Sequence, residues 1–212
     1  MSETTENTIA KTTVNRSRKT LQMVLVAVMA AVICVVAPFS IPLPFTAVPI
    51  SFTNLMVYIA LFALGWKRGT LSYILYLLIG LVGVPVFSGF TGGPAKLVGP
   101  TGGYLVGFIF MAVIAGLFID KAGEIKAEKV SQSRILPIVM YVVGMVLGLA
   151  VCYAFGTVWF MVQQNIPFEA ASVGSTLGAC VIPFLPGDAA KIIIAIIVGV
   201  PLRSTLRKNQ LV

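Results

Sequence analysis

The chain has 212 residues, of which 58% are hydrophobic and only 10% are charged. Soluble domains carry about 25% charged residues, and a soluble domain of this length could not hide so many apolar side chains from water. The formal net charge of +8 comes without a basic run interleaved with aromatic residues, which excludes nucleic acid as a partner. The composition predicts an all-α integral membrane protein that forms one unit in the lipid bilayer.

Several kinds of chemistry are excluded by what the sequence lacks. The chain contains no histidine, so imidazole is absent both as a metal ligand and as a general base. Its three cysteines stand alone in apolar stretches without CxxC spacing, which is typical of small buried side chains. There is no GxxxxGK[ST] motif, so the chain has no P-loop for ATP. We therefore expect no metal, no cofactor and no catalytic residue.

The N-terminal 20 residues are rich in Thr, Ser and Asn and end in basic residues. We predict a disordered cytoplasmic tail over residues 1–20 and a retained first helix over Leu21–Ala37, because no cleavage motif follows the apolar stretch. Pro38 ends this helix, since proline lacks a backbone N–H and clashes with the preceding turn. The Pro-rich segment 38–49 is predicted to be a loop that packs over the rest of the molecule.

Five further helices are predicted from apolar stretches that approach the length a bilayer requires. Their approximate bounds are Ile50–Leu64, Thr70–Val84, Tyr104–Ile119, Leu136–Gln163 and Ala170–Leu202. The last stretch is too long for one span, and Pro183 and Pro186 are predicted to kink or break it. The domain organisation is then a six-helix membrane domain over residues 21–203, followed by a cytoplasmic tail over residues 204–212.

Two connections have distinctive compositions. Residues 85–103 contain six glycines and three prolines, which predicts a structured loop or re-entrant turn in place of a regular helix. Residues 120–134 are polar and of mixed charge, and we predict a solvated loop there.

Six spans place both termini on the same side of the membrane. Thirteen of the 15 Lys and Arg residues then lie on that side, in the two tails and in two of the loops. Because basic loops stay in the cytoplasm, we predict cytoplasmic termini and a multi-pass protein of the plasma membrane. The two exceptions are Lys96 and Lys191. The loops predicted to face outward are rich in Pro, Gly and apolar residues.

The clearest candidate site is the pair Asp188 and Lys191, which stands inside the last apolar stretch and shares one helix face. Lys191 precedes Arg203 by 12 residues, or about 18 Å of helix, which places it near the middle of a hydrocarbon core of about 30 Å. Ionisable residues at this depth usually face a cavity; the alternative is a self-neutralising pair that only holds helices together. Pro186–Gly187 predicts a helix restart, with free backbone N–H groups directed at the cavity.

A second candidate is the loop GGPAKLVGPTGGY, which is interpreted either as a wall or lid of a ligand pocket or as a tight outer turn. Its candidate residues are Gly92, Gly93 and Thr101. The candidates for apolar walls of the pocket are Phe45, Phe87, Phe90, Tyr104, Tyr153 and Trp159. On the first helix, Ala27 and Ala31 have the spacing of small residues that permits close helix contact, and this face could dock a partner membrane protein.

Four segments resemble the BioY family, the biotin-binding S-components of energy-coupling factor (ECF) transporters. They are PVFSGFTGG at 85–93, GPTGGYLVGF at 99–108, YAFGTVWF at 153–160 and PFLPGDAAK at 183–191. The resemblance implies an S-component-like fold with an outward-opening biotin site, coupled to a transmembrane coupling subunit and two ABC-type ATPases. It also implies that Asp188 and Lys191 are polar biotin contacts. Ala27 and Ala31 resemble the motif through which S-components meet the coupling subunit.

The leading hypothesis is a subunit that captures biotin outside and delivers it inward with an ECF module. One alternative is a stand-alone transporter in which Asp188 and Lys191 relay protons, and a vitamin other than biotin remains open as the ligand. An intramembrane enzyme is disfavoured because the apolar stretches hold no second carboxylate to pair with Asp188 and the chain holds no histidine.

Overall fold

The computed structural model describes residues 2–44, 46–127 and 135–209. Within those ranges it contains seven α-helices and one two-stranded sheet. Their bounds are α1 Ser2–Val36, β1 Ser40–Leu43, β2 Thr46–Ser51, α2 Thr53–Leu81, α3 Pro94–Val98, α4 Gly102–Ala127, α5 Ile135–Gln163, α6 Ala170–Cys180 and α7 Leu185–Lys208.

Four stretches of the described chain are long and apolar enough to cross a membrane. They are Lys19–Val36 in α1, Gly102–Ile125 in α4, Ile135–Gln163 in α5 and Ala170–Lys208 across α6 and α7. Many large apolar side chains on these helices are exposed on the outside of the molecule, where a lipid-facing surface requires them. The protein is therefore a multi-pass membrane protein. α1 itself begins at Ser2, well before Leu21, and ends at Val36 beside Pro38.

α2 is interrupted at Gly65, whose φ of 78° and ψ of 176° are not helical. A Cβ placed on Gly69 would lie 2.9 Å from the Cα of Leu61. In a straight helix the offset of eight residues between these positions would separate them by about 12 Å. The chain therefore folds back at Gly65, and residues 53–64 and 66–81 correspond to the two short helices predicted there.

The segment predicted as a Pro-rich loop forms an antiparallel hairpin instead. β1 pairs with β2 through Ser40 with Ser51 and Ile41 with Ile50. The prolines at 42 and 49 argued against strands, but a two-stranded ribbon consists only of edges, where proline is tolerated. Val48 of this hairpin is buried, so the expectation that the segment packs over the molecule is confirmed.

The Gly-rich segment 85–103 is a structured loop, as its composition predicts, and it also contains the one-turn helix α3. Phe87 and Thr91 form an isolated bridge within it. The Gly93 N–H donates to the Gly80 carbonyl at 2.7 Å and ties the loop to α2. The prediction of a solvated loop from residue 120 is wrong for residues 120–127, which continue α4. Residues 128–134 lie outside the described part of the chain.

The predicted break in the last apolar stretch is confirmed. α6 ends at Cys180, a 3-10 turn covers Ile182–Phe184, and α7 begins at Leu185. Pro183 and Pro186 cause the break, because each removes an N–H that a continuous helix would use. The restart places Asp188 in the first turn of α7.

Small residues let α4 and α5 approach closely. A Cβ on Gly103 would lie 2.2 Å from the Cβ of Trp159, and one on Gly148 would lie 2.9 Å from the Met111 carbonyl oxygen. Beside this helix pair, the interior contains a cluster of fully buried aromatic side chains. These are Tyr58, Phe62, Tyr73, Tyr76 and Phe87.

Candidate ligand-binding site

A cavity lies between the start of α2, the helices α4, α5 and α7, the β1–β2 hairpin and the loop that precedes α4. It encloses about 670 Å³, open solvent at its mouth included. Most of its wall is apolar. This part of the wall includes Val48, Phe87, Leu105, Phe108, Leu149 and Phe184.

One carboxylate, that of Asp188, organises the polar part of the wall. Asp188 is only 3% exposed. Its Oδ1 accepts hydrogen bonds from Asn54 Nδ2 at 2.8 Å and from Lys191 Nζ at 3.1 Å, and its Oδ2 accepts one from the Tyr153 hydroxyl. Donors from α2, α5 and α7 therefore meet on a single buried carboxylate.

This network explains how charges persist inside the molecule. Removing a carboxylate or an ammonium from water costs several kcal/mol unless a partner and further hydrogen bonds compensate. Asp188 and Lys191 form an ion pair one turn apart on α7. Because Asn54 and Tyr153 also bind Asp188, the cluster joins three helices and at the same time faces the cavity.

Asn54 is a site residue that the sequence interpretation missed. Its Oδ1 accepts the Leu55 N–H at 3.1 Å, which directs the amide Nδ2 to Asp188. The neighbouring Ser51 and Thr53 hydroxyls lie 2.6 Å apart, and the Thr53 N–H donates to Ser51 Oγ. These contacts form the turn between β2 and α2, and all three polar side chains line the cavity. The signal in the sequence was the polar cluster Ser-Phe-Thr-Asn between two apolar segments.

A second cation, Lys96, reaches the cavity from α3. It is half-buried, and this burial lowers the pKa of its ammonium group. Ser88 and Thr101 add hydroxyl groups from the same loop. The interpretation of the Gly-rich loop as a wall of the pocket therefore agrees with its position.

The structure brings six of the predicted ligand residues to the cavity wall. They are Phe87, Thr101, Tyr104, Tyr153, Asp188 and Lys191. Two further residues from the predicted set of apolar walls cannot be placed there. Phe45 lies outside the described residues, and Phe90 is 60% exposed and packs edge-on against Phe39.

Three other predicted residues are not among those that line the cavity. A Cβ on Gly92 would lie 2.4 Å from the Val84 carbonyl oxygen, so Gly92 serves a close backbone contact. Gly93 has a φ of 89° and precedes α3. The Trp159 indole N–H donates to the Gly99 carbonyl at 3.0 Å. Trp159 thus holds the loop from outside the cavity, because its indole is directed at the loop backbone.

The predicted partner-binding residues Ala27 and Ala31 lie elsewhere, on the outer surface of α1. Both are exposed, next to the exposed side chains of Val24 and Val28. Neither contributes to the cavity wall.

The sequence matches the BioY family over residues 7–208. Related proteins include the biotin transporter BioY of Rhizobium etli, which is 33% identical over 85% of this chain and 91% of its own. The biotin transporter BioY of Thermotoga maritima is 34% identical over 86% of this chain and 95% of its own. A crystal structure of the S-component for biotin from an ECF-type ABC transporter has a TM-score of 0.73 at 30% identity, and covers 89% of this chain and 93% of that chain. The chain belongs to the BioY family.

Proposed function

We propose that this chain is the substrate-binding membrane subunit of a vitamin-uptake transporter and that its substrate is biotin. The observation that carries the proposal is the Asp188 cluster, a buried carboxylate with three donors in the wall of an otherwise apolar cavity. The biotin transporters and the biotin S-component to which the chain is similar support the same substrate.

The polar groups of biotin fit this cluster. Its ureido ring offers two N–H donors and one carbonyl acceptor, and the carboxylate of Asp188 can accept the donors. The Asn54 amide and the Lys191 ammonium already point at this carboxylate and can serve the ureido carbonyl. The apolar thiophane ring and aliphatic chain suit the apolar walls, as in most small-molecule sites.

The carboxylate of biotin requires a cation, and two lysines line the cavity. Lys191 is only 7% exposed and is paired with Asp188, so we assign it to the ureido end. Lys96 is less buried and belongs to the loop that covers the cavity. We therefore assign the valerate carboxylate to Lys96.

Delivery inward requires a source of energy that the chain lacks, because its sequence contains no P-loop. We propose that it couples in the plasma membrane to an ECF transmembrane coupling subunit and two ABC-type ATPases. In this arrangement both termini are cytoplasmic and the cavity opens outward beneath the hairpin and the Gly-rich loop. The exposed Ala27 and Ala31 on α1 support a contact with the coupling subunit.

Biotin binding to the purified protein tests the site. Asp188→Asn removes the charge that strengthens these hydrogen bonds, which are worth about 1.5–3 kcal/mol each, so we expect affinity to fall about ten- to a hundredfold. Lys191→Met should also weaken binding, because it leaves Asp188 without its ion pair. Asp120→Asn is the matched control, since Asp120 is ion-paired to Arg203 away from the cavity. Unchanged affinity in both cavity variants would show that the site is elsewhere.

A thermal-shift screen of vitamins tests the substrate, because a ligand stabilises the fold that binds it. Biotin should raise Tm most. A larger increase in Tm with another vitamin would identify that vitamin, and not biotin, as the substrate. Uptake into vesicles tests the mode of transport. ATP-dependent uptake only with the ECF module supports the proposal, whereas uptake without ATPases that collapses with the proton gradient supports a stand-alone transporter.

A further inference from the structure

A second pocket lies at the other end of α7. Arg203 follows Asp188 by 15 residues, or about 22 Å of helix. The pocket encloses about 690 Å³, open solvent included, and four basic and two acidic side chains line it. These are Lys67 and Arg68 of α2, Asp120 and Glu124 of α4, and Arg203 and Arg207 of α7.

The carboxylate of Asp120 is already engaged by the protein. Its Oδ1 accepts a hydrogen bond from Arg203 Nη2 at 2.6 Å, and its Oδ2 accepts the Trp66 N–H at 3.0 Å. A Cβ on Gly65 would lie 3.1 Å from this carboxylate, so the break in α2 is what allows the approach. Asp120 therefore holds α2, α4 and α7 together, and its charge is balanced locally.

Some of the N–H donors of Arg203 are not used by hydrogen bonds within the described residues. The residue is only 7% exposed, yet its Nε and Nη1 have no hydrogen-bond partner among the described residues. A guanidinium carries five N–H donors, and leaving buried charged donors without acceptors is costly. Arg207 lies at the same pocket and donates through Nη1 to the Gly123 carbonyl at 3.2 Å. The pocket thus carries an excess of positive charge beside a buried guanidinium that is only partly bonded.

We propose that this pocket binds a phosphate group, which Arg207, Arg68 and Lys67 contact while the buried, only partly bonded guanidinium of Arg203 adds positive charge. Arginine guanidinium groups are favoured donors to phosphate oxygens, and three of the four basic side chains at this pocket are arginines. The pocket lies where charged residues end the apolar stretches, and Trp66 belongs to its wall. Trp and basic side chains at the membrane–water interface contact phospholipid headgroups. A headgroup phosphate and free inorganic phosphate offer the same chemistry.

The test uses the full chain, delipidated in a phosphate-free maltoside detergent, and measures the Kd for phosphatidylglycerol and for inorganic phosphate. Arg207→Gln removes one charged contact and should weaken binding of the phosphate probe about tenfold. Lys208→Gln is the matched control, because it makes the same charge change next in the chain at an exposed residue outside the pocket. We expect less than a twofold change for this control.

The two probes distinguish the sources of the phosphate. Competition of inorganic phosphate with phosphatidylglycerol identifies the phosphate group as the ligand, whereas binding of phosphatidylglycerol alone identifies a lipid headgroup. Arg203→Lys keeps the positive charge and should change the affinity for both probes less than Arg207→Gln does. A substitution of the buried Arg203 can disturb the fold. Arg68→Gln is therefore a further variant, because Arg68 is only half-buried and its substitution should preserve the fold. Equal affinities of Arg207→Gln, Arg68→Gln and Lys208→Gln for both probes would overturn the proposal. The proposal would also be overturned if these variants differed only in their affinity for polyglutamate, because the pocket would then dock an acidic protein.

Discussion

At the scale of residues, the Asp188 cluster serves both the fold and the proposed ligand. Its four side chains come from three helices and satisfy one another without a ligand. The bonds from Asn54 and Tyr153 to Asp188 join α2 and α5 to α7, which agrees with the idea that these buried charges hold helices together. The cavity beside the cluster adds the second function, because a ureido ring can exchange hydrogen bonds with donors and acceptors that are already in place.

Asn54→Ala tests the contribution of the amide. The variant removes a donor to a buried carboxylate, so biotin affinity should fall about tenfold. Ser51→Ala is the control, because Ser51 lines the same wall but bonds to Thr53 of its own turn. Titration calorimetry on both variants measures the difference. Equal losses in the two would mean that Asn54 does not contact the ligand.

Because Lys96 is assigned to the biotin carboxylate, we predict that biotin affinity depends on pH. The partial burial of Lys96 lowers its pKa from the ordinary value of 10.5, and only the protonated form attracts a carboxylate. The affinity should therefore be greatest at neutral pH and decrease as the pH rises through the lowered pKa, below 10.5. Lys96→Gln should bind more weakly at neutral pH.

The control for this prediction is the ligand itself. Biotin methyl ester lacks the carboxylate, so its Kd should not change over the range where Lys96 loses its proton. The Kd of Lys96→Gln for biotin should be equally insensitive there. If wild type and Lys96→Gln gave parallel pH profiles, Lys96 would not hold the carboxylate.

At the scale of elements, the loop before α4 is held in place by contacts on both of its faces. Gly93 donates to the Gly80 carbonyl of α2, and Trp159 of α5 donates to the Gly99 carbonyl. These bonds position Phe87, Lys96 and Thr101 at the cavity. Gly92 adds a close backbone contact, since a Cβ there would lie 2.4 Å from the Val84 carbonyl oxygen.

Gly80→Ala tests that packing. A Cβ on Gly80 would lie 2.2 Å from the ring of Phe87, which is fully buried in the cavity wall. Overpacking of this kind costs about 1–3 kcal/mol, so Tm should fall and biotin affinity should fall with it as the ring moves. Gly178→Ala in α6 meets no atom within 4 Å and should be neutral or stabilising by up to about 1 kcal/mol. Equal Tm values for the two variants would contradict the assigned packing.

At the scale of the whole molecule, the cavity and the proposed partner surface are separate. The cavity lies between α2, α4, α5 and α7, while Ala27 and Ala31 are exposed on α1. Binding and coupling should therefore be separable by substitution.

The double substitution Ala27→Leu and Ala31→Leu should abolish ATP-dependent biotin uptake with the ECF module and leave biotin affinity unchanged, because bulk on this face prevents close helix contact. Ala150→Leu makes the same change on the exposed face of α5 and should leave both unchanged. Uptake into proteoliposomes and binding in detergent measure the two activities. Uptake at the wild-type rate by the double variant would show that this face of α1 does not dock the coupling subunit.

The sequence alone determined the features that depend on local physical chemistry. The length of apolar stretches identified a membrane protein, missing proline N–H groups identified the break before α7, and the cost of charge in lipid singled out Asp188 and Lys191. Only the tertiary structure decided which distant residues meet. Asn54 and Asp188 are 134 positions apart, the hairpin carries Val48 to the cavity, and Trp159 is directed at the loop instead of the ligand space. These outcomes depend on how each helix is rotated and packed against its neighbours, which no local pattern along the chain specifies.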